Sequence, residues 1–332
     1  MAFDDDQPPR DFADRAIREQ LENPENLREL LHEVLGGLAD GFVCEDREIL
    51  KREFPLEDWR HRESDILMRV PYRMAAESVP VLVCVLIEHQ SQPDQRMPLR
   101  TLLYMVLWWE REWKEWQALP SPRPPLRLTP VVPIVFHTGQ TSWRKYRKLA
   151  DLIGGPEEFR KLAPSWQPMF LELAGKTPAE LLQATGEWLN ALAIVRADHD
   201  DAEAFAAILE KVLRRLEDLA DKDRVRWHDL VHFALVWALY RRPKEERERL
   251  IESAQASQTN VVHQKEVQAV SVTIAEALRA EGKAEGKAEG KAEGKAEGKA
   301  EGRLDEAREI LCYLIELRFG VVPEQLSRAY KR

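Results

Sequence analysis

Cysteine is scarce in this sequence, and long hydrophobic runs are absent from it. The three cysteines, Cys44, Cys84 and Cys312, lie far apart in a chain of 332 residues and form no CxxC pair. A disulfide scaffold or a zinc ribbon is therefore excluded, and a reducing compartment is expected. The longest apolar stretch, residues 79–87, has nine residues, whereas a membrane-spanning helix needs about 20. Because the start is acidic and unlike a secretion signal, the sequence predicts a cytoplasmic protein without a membrane partner.

An excess of positive charge is also lacking. The 49 Lys and Arg residues are outnumbered by 58 Asp and Glu, which gives a formal net charge of −9. This balance excludes a uniformly basic coat for nucleic acid but permits a local basic surface. Gly-rich phosphate loops and GxSxG are absent, so NTPase, dinucleotide-binding and α/β-hydrolase functions lack support. Hydrophobic residues make up 44% of the chain, enough for a core in about two folding units.

Residues 280–303 are a low-complexity repeat, AEGK five times and then AEGR. As a helix, it would place Glu four residues from Glu and Lys four from Lys, which is mildly repulsive. Its six glycines would each cost roughly 1 kcal/mol relative to alanine. We interpret the region 261–303 as a linker, either a solvated tether or a frayed helix, with an adjustable spacer as the functional alternative.

A C-terminal helical segment, 304–332, follows the repeat, and its stretch Leu304–Phe319 is amphipathic. The apolar face needs a partner, either a second copy or the main body. We expect a homo-oligomer formed through these helices.

The remaining sequence predicts an α/β or α+β fold, because helical and β-like patterns alternate in the first 175 residues. The strand at residues 81–87 is hydrophobic throughout and is expected at the centre of the sheet. Domain boundaries are predicted at 10–175 for the sheet-bearing domain and 176–260 for a helical region. The predicted elements are a helix over Asp11–Leu38, β-segments Ile49–Phe54, Ser64–Tyr72 and Val81–Gln90, a helix Met97–Gln117, a strand Leu128–His137, and helices Ala179–Val195, Asp201–Asp221 and Arg224–Tyr240.

Two carboxylates are predicted to face each other across the hairpin of residues 64–90. With a four-residue loop centred between 76 and 77, Asp65 lies opposite Glu88, with Cβ atoms about 4.5–5.5 Å apart. Because side chains alternate along a strand, Gln90 joins Glu88 on one face and Glu63 joins Asp65.

Such carboxylates repel one another unless a cation lies between them. A hard cation such as Mg²⁺ takes carboxylate oxygens, water and substrate phosphate as ligands, and it can activate water for hydrolysis. Alternatively, the acids mark a strand that leaves the core, and they pair with Arg69 or Arg96.

The order of several segments resembles that of the YhgA-like putative transposases. These are also called the Rpn (recombination-promoting nuclease) family, within the PD-(D/E)XK nuclease superfamily. The resemblance covers roughly residues 10–175 and extends to Leu317-Arg318-Phe319-Gly320. It rests on Asp14, Asn23-Pro24-Glu25, Glu63-Ser64-Asp65-Ile66-Leu67, Ile87-Glu88-His89-Gln90-Ser91, Pro98-Leu99-Arg100, Tyr104-Met105, Pro130-Val131-Val132-Pro133-Ile134-Val135 and Gly139.

The resemblance implies a mixed sheet flanked by helices and Mg²⁺-dependent cleavage of DNA phosphodiesters, with Mn²⁺ as the other candidate metal. By position, Asp65 and Glu88 would hold the metal, and Gln90 stands where the superfamily usually has Lys. Gln90 would orient water or substrate but carries no charge. A His that usually opens the family pattern is Ala13 here. The neighbouring Asp14 is an auxiliary candidate, for the metal or for a helix cap.

Basic residues near Trp143 are candidate DNA contacts, because a phosphate backbone is bound by clustered cations and an aromatic ring can stack on a base. The alternative is a solvated helix face whose tryptophan is core. Arg96 and Arg100 are further candidates, although Arg100 and Tyr104 could be an internal packing pair. The cluster comprises Arg144, Lys145, Arg147 and Lys148.

Two further patterns favour structural roles. His228 and His232 have a zinc-compatible spacing, but the residue after the first is Asp229, not the Glu of HExxH. The tryptophans after the hairpin recur at helical steps and are interpreted mainly as packing, with one or two left for a partner.

The leading hypothesis is a metal-dependent DNA endonuclease that promotes recombination. The alternatives are a catalytically weak DNA-binding or assembly protein and an oligomeric scaffold.

Overall fold

The computed structural model describes residues 12–50, 66–74, 78–88 and 94–319. The chain forms two compact units, the first ending at Ile274 and the second beginning at Ala275. The sheet and the helices of the region 176–260 lie in the first unit. None of the helices in the described ranges is long and apolar enough to cross a membrane.

A five-stranded mixed sheet organises the first unit. Its strands are β1 Glu48–Ile49, β2 Ile66–Arg73, β3 Ser78–Glu88, β4 Val131–His137 and β5 Met169–Glu172, and they lie side by side in the order β1 to β5. The pairs β1–β2 and β2–β3 are antiparallel, whereas β3–β4 and β4–β5 are parallel. This confirms the predicted mixed sheet flanked by helices and the central position of the strand at 81–87. The strand β5 was not predicted.

Helices cover both faces of the sheet, which explains why β4 is apolar on both sides. On one face, Val135 belongs to a buried cluster with Met97 and Trp108 of the helix α3, Met97–Ala118. On the other face, Phe136 meets Trp188 of the helix α6, Glu187–Arg196, with ring centroids 5.7 Å apart. The sheet is therefore the middle layer of the core.

The register of the hairpin differs from the predicted one. The prediction paired Ile66 with Ile87, whereas the structure pairs Ile66 with Val85. Ser78, assigned to the loop, is already in β3 and pairs with Arg73. Four residues separate Arg73 from Ser78, as the prediction assumed, but the turn comes one residue earlier in the chain than predicted. Because the position of a turn sets the register, the register that placed Asp65 opposite Glu88 is shifted by two residues over the described pairs. A shift of two residues does not exchange the faces of a strand.

The predicted helix Asp11–Leu38 is wrong as a single element. The structure has two helices, α1 Phe12–Leu21 and α2 Pro24–Leu35. The side chain of Asn23 accepts hydrogen bonds from the backbone of Glu25 (2.9 Å) and Asn26 (3.4 Å) and so caps α2. Asparagine at the cap followed by proline at the first helical position is a strong start signal.

The predicted helix Met97–Gln117 is confirmed as α3, and its tryptophans hold the loop that follows. Trp109 Nε1 donates to the carbonyl of Thr129 (2.8 Å), and Trp116 Nε1 donates to that of Pro124 (2.7 Å). Trp108 Nε1 donates to Glu112 (2.9 Å). Trp113 is the exposed one, at 45%. Packing therefore accounts for three of these tryptophans.

The helical region after the sheet matches its prediction in part. Thr177 caps a helix and pairs reciprocally with Glu180, as expected. That helix, however, ends at Gln183, and a new one begins after Gly186, so Ala179–Val195 is two elements. The helices of the region 157–256 are α4 Glu157–Arg160, α5 Pro178–Gln183, α6 Glu187–Arg196, α7 Ala202–Leu216, α8 Arg224–Arg241 and α9 Arg247–Ala256.

A single helix, α10, runs over Val261–Phe319 and includes the whole repeat. The expectation of a solvated tether is therefore replaced by a continuous helix. Its start is nucleated in the first unit, where Val267 and Ile274 are buried and Glu217 accepts hydrogen bonds from the backbone of Thr259 and Asn260. These contacts supply the nucleus, which is the costly step of helix formation.

Candidate functional site

The three parallel strands end together at one edge of the sheet. Glu88, the last residue of β3, pairs with His137, the last residue of β4. His137 in turn pairs with Glu172, the last residue of β5. The carboxyl edge of parallel strands is where α/β proteins most often place functional groups. This row of three polar residues is therefore the candidate site.

Of the predicted site residues, Glu88 lies in this row. Asp65, Glu63 and Gln90 lie outside the described residues, so their predicted roles remain predictions. Asp14 lies in the first turn of α1. Within residues 12–50, 66–74, 78–88 and 94–319, no group of three or more His, Cys, Asp or Glu could hold a metal ion.

His137 is fully buried and fixes the chain that follows its own strand. Its Nε2 lies 2.8 Å from the carbonyl oxygen of Thr141. Because a carbonyl only accepts hydrogen bonds, Nε2 carries the proton in this contact. The ring also meets Trp143 edge to face, with centroids 5.2 Å apart and planes at 87°. The segment after β4 is thus held by its last residue.

Glu172 holds the same segment from the neighbouring strand. Its carboxylate accepts a hydrogen bond from the backbone N–H of Trp143 (2.8 Å) and pairs with the guanidinium of Arg147. Nη1 of Arg147 also donates to the carbonyl of Trp143 (2.8 Å), and the guanidinium lies 4.1 Å from the ring centroid of Phe170. Arg147 is therefore engaged with the protein by charge, hydrogen bond and ring contact.

The basic cluster lies in irregular chain and not on the helix considered as the alternative. Trp143, at 1% exposure, is core as that alternative supposed. Tyr146 has a φ of 57°, a left-handed conformation that costs about 1–2 kcal/mol for a residue with a side chain. Asp151 accepts hydrogen bonds from the backbone of both Arg147 (3.0 Å) and Lys148 (3.1 Å). Three cations remain exposed, Arg144, Lys145 and Lys148.

The two arginines near the start of α3 differ from each other. Arg100 is buried at 5% exposure, with Nη1 3.8 Å from Asp94 and near Met97. This burial favours the internal role that the sequence left open for Arg100, and its contact with DNA stays a prediction. Arg96 is exposed, and two of its nitrogens donate to Asp94 (3.0 and 3.1 Å). Burial opposes ionisation of Asp94, but the hydrogen bonds from Arg96 outweigh it and lower the pKa of Asp94.

The histidines His228 and His232 lie on the exposed side of α8, with nearly parallel rings 6.5 Å apart. Desolvation and the neighbouring His228 lower the pKa of His232. No third ligand completes a metal site in the described part of the chain. The arrangement agrees with their interpretation as surface histidines.

Sequence reasoning missed His137 and Glu172. The usable signal was the position of His137 directly after an apolar strand, because the ends of parallel strands gather at one edge. For Glu172 the signal was weak, since β5 has four residues and periodicity is hard to recognise over so short a segment.

A family model described as "Putative transposase, YhgA-like" matches residues 12–224. The matched span is more than half of the 332 residues, and it contains all five strands of the sheet. No curated protein and no solved structure matches the chain.

Proposed function

The chain belongs to the YhgA-like putative transposase family, and from this premise we propose that it is a metal-dependent DNA endonuclease that promotes recombination. The reaction is hydrolysis of a phosphodiester bond. Asp65 and Glu88 bind the metal, and Gln90 orients water or substrate. The observation that carries the proposal is the position of Glu88 at the carboxyl edge of the sheet, in one row with the ends of β4 and β5.

The donor set suits a hard divalent cation. The two carboxylates of Asp65 and Glu88 would supply oxygen ligands, which Mg²⁺ and Mn²⁺ prefer. Held by these residues, a divalent cation would activate water and stabilise the charge that develops on phosphate. Gln90 adds no positive charge, so the cations that attract DNA must come from elsewhere in the chain. Arg144, Lys145 and Lys148, all exposed after β4, meet that need.

Cleavage of supercoiled plasmid tests the proposal. Full-length protein should nick the plasmid with Mg²⁺ and leave it intact in EDTA. Glu88→Ala should lower the rate about 100-fold or more, because loss of a metal ligand removes several kcal/mol of transition-state stabilisation. The matched control is Glu115→Ala, which removes an exposed carboxylate paired with Arg111 on α3. The control should cleave like the wild type.

Cleavage by Glu88→Ala at the wild-type rate would refute the assignment of this residue. A second function is supported by two departures: Gln90 stands where the nuclease superfamily usually has Lys, and Ala13 stands where the family usually has His. In that case the protein is a DNA-binding or assembly protein, and it shifts DNA on a gel without nicking it under any metal.

The segment at the end of α10 supports association of copies. Apolar positions 307, 310, 314 and 317 follow the alternating steps of three and four residues that pair helices in coiled coils. The side chains of Ile310, Leu314 and Leu317 are exposed at 54%, 55% and 67%. We expect the full chain to be a homo-oligomer through this stripe.

Mass photometry of the full-length chain tests the stripe. The wild type should have the mass of a multimer, and the double variant Leu314→Glu/Leu317→Glu should be a monomer. Lys299→Glu, on the exposed surface of the same helix, is the control and should keep the wild-type mass. A monomeric wild type, or a double variant that remains multimeric, contradicts the assignment.

A further inference from the structure

We propose that Glu172 and Arg147 form an anchor that fixes residues 143–148 as a phosphate-binding loop for DNA. In this inference Arg144, Lys145 and Lys148 contact the phosphates, and Arg147 is a positioning residue that does not. The inference rests on the proposed function, since it assigns the DNA contacts of the same site.

The anchor joins both sides of the loop to the end of β5. One oxygen of Glu172 takes the backbone N–H of Trp143, and the other faces the Arg147 guanidinium. Arg147 closes the ring by donating to the Trp143 carbonyl (2.8 Å). The negative charge of the Glu172 carboxylate balances the positive charge of the Arg147 guanidinium. Arg147 therefore adds little net attraction for phosphate.

The other three cations of the loop differ from Arg147 in exposure and in ion pairing. Arg144, Lys145 and Lys148 are exposed, and none of their side chains pairs with a carboxylate within the described ranges. Asp151, the nearest acid in sequence, binds the backbone of the loop and not these side chains. In a chain of net charge −9, three such cations within five residues make a local positive surface.

The loop is held close to the end of β3. Glu172 is two strands away from Glu88 in one row of the sheet, and adjacent strands are about 4.8 Å apart. The backbones of these two residues are therefore on the order of 10 Å apart. Because Glu172 binds Trp143 and Arg147 of the loop, the loop belongs to the same edge of the sheet as Glu88, and its cations would bind phosphates of the DNA cleaved there.

The salt dependence of DNA binding measures the number of phosphate contacts. Binding of a fluorescent DNA duplex to the full-length protein is followed by anisotropy in EDTA over a range of salt concentrations. The triple variant Arg144→Gln/Lys145→Gln/Lys148→Gln should reduce the slope of log K against log salt by about 2.7, which is three contacts at about 0.9 each. The control, Lys211→Gln/Arg215→Gln/Lys222→Gln, removes three exposed cations of the helical region and should leave the slope unchanged.

Glu172→Gln separates an anchor from a direct contact by the sign of its effect. If Arg147 bound phosphate, loss of the neighbouring negative charge would tighten DNA binding. An anchor predicts weaker binding instead, because the loop is released. Arg147→Met should weaken binding to the same degree, and the double variant no further, since the two residues act as one unit.

The outcomes distinguish this inference from the proposed function. If the triple variant loses affinity while the wild type fails to nick plasmid, the loop assignment stands and the endonuclease fails. If the wild type nicks plasmid and the triple variant keeps the full slope, the loop assignment is overturned. A wild type that binds no DNA also overturns it. Should Glu172→Gln fail to fold, the surface triple variant still decides.

Discussion

Two glutamate–arginine pairs hold the backbone of a neighbouring segment, one in the helical region and one at the edge of the sheet. Glu29 of α2 pairs with Arg226 of α8, and Glu172 pairs with Arg147. The Glu29 carboxylate also accepts hydrogen bonds from two backbone N–H groups, and the Glu172 carboxylate accepts one. The side chains of the first pair are exposed by 13% and 8%, and those of the second by 18% and 33%. The two pairs consist of the same residue types and differ in how far their side chains are exposed to water.

The buried pair is part of a larger polar cluster that joins three helices. Arg226 donates to Asn26 Oδ1 from two nitrogens (both 3.1 Å) and to Glu187 (3.1 Å). Glu29 accepts from the backbone of Leu189 (2.9 Å), at the start of α6. Burial raises the pKa of Glu29, although the N–H of Leu189 and the charge of Arg226 act in the other direction. A buried cluster of this kind ties α2, α6 and α8 together.

The largest expected effect is on the free energy of unfolding, and it contrasts the two pairs directly. Arg226→Met should lower it by about 3–5 kcal/mol, because it leaves the Glu29 carboxylate buried without its partner. Arg147→Met should lower it by about 1 kcal/mol, since that pair is partly exposed and screened by solvent. Urea unfolding followed by circular dichroism measures both.

Arg215→Met serves as the control for the loss of an exposed arginine of α7, and it should change stability by less than about 0.5 kcal/mol. Equal losses for Arg226→Met and Arg147→Met would show that burial does not separate the two pairs.

A smaller effect concerns a carboxylate that caps a helix without an arginine. Burial opposes ionisation of Glu217, but the N–H groups of Asn260 (2.9 Å) and Thr259 (2.8 Å) outweigh it and lower its pKa. Its contribution is present above the unfolded pKa of about 4.3 and is lost as pH falls through the lower folded value. Glu217→Gln should therefore cost about 1 kcal/mol at pH 7 and progressively less below pH 4.3.

Urea unfolding between pH 7 and pH 3 measures that difference. Glu248→Gln, an exposed glutamate of α9, is the control and should show no such trend. A stability gap for Glu217→Gln that stays constant over this pH range would contradict the assignment of the cap.

Local signals in the sequence were sufficient for several elements. The Thr177–Glu180 cap and the helix at 97–117 follow from patterns within a few residues. The break at Asn23-Pro24 was readable from the same rules, since asparagine followed by proline is a helix start signal, but the prediction ran one helix through it. The break before α6 depends instead on a distant contact. A side chain at Gly186 would collide with the Glu29 carboxylate, and these two residues are far apart in sequence.

The row formed by the last residues of β3, β4 and β5 could not be predicted from local sequence patterns. Glu88 was identified from its place after an apolar strand and from the family resemblance. His137 and Glu172 become its neighbours through parallel pairing, which depends on the crossover connections and not on residues nearby in the chain. The hairpin register was wrong for another reason: composition indicated a four-residue turn but did not fix its position in the chain to within one residue.

The unbroken helix through the repeat has a geometric consequence. Each four-residue unit lengthens an α-helix by about 6 Å and turns it by about 400°, so that everything after it rotates by a net 40° or so. Within α10, gain or loss of one AEGK unit would therefore slide residues 304–319 along the axis from residues 275–279 and re-aim the apolar stripe. Nine added units would return that stripe to its original bearing. The number of repeat units therefore sets both the distance of the apolar stripe along the helix axis and the direction in which it points.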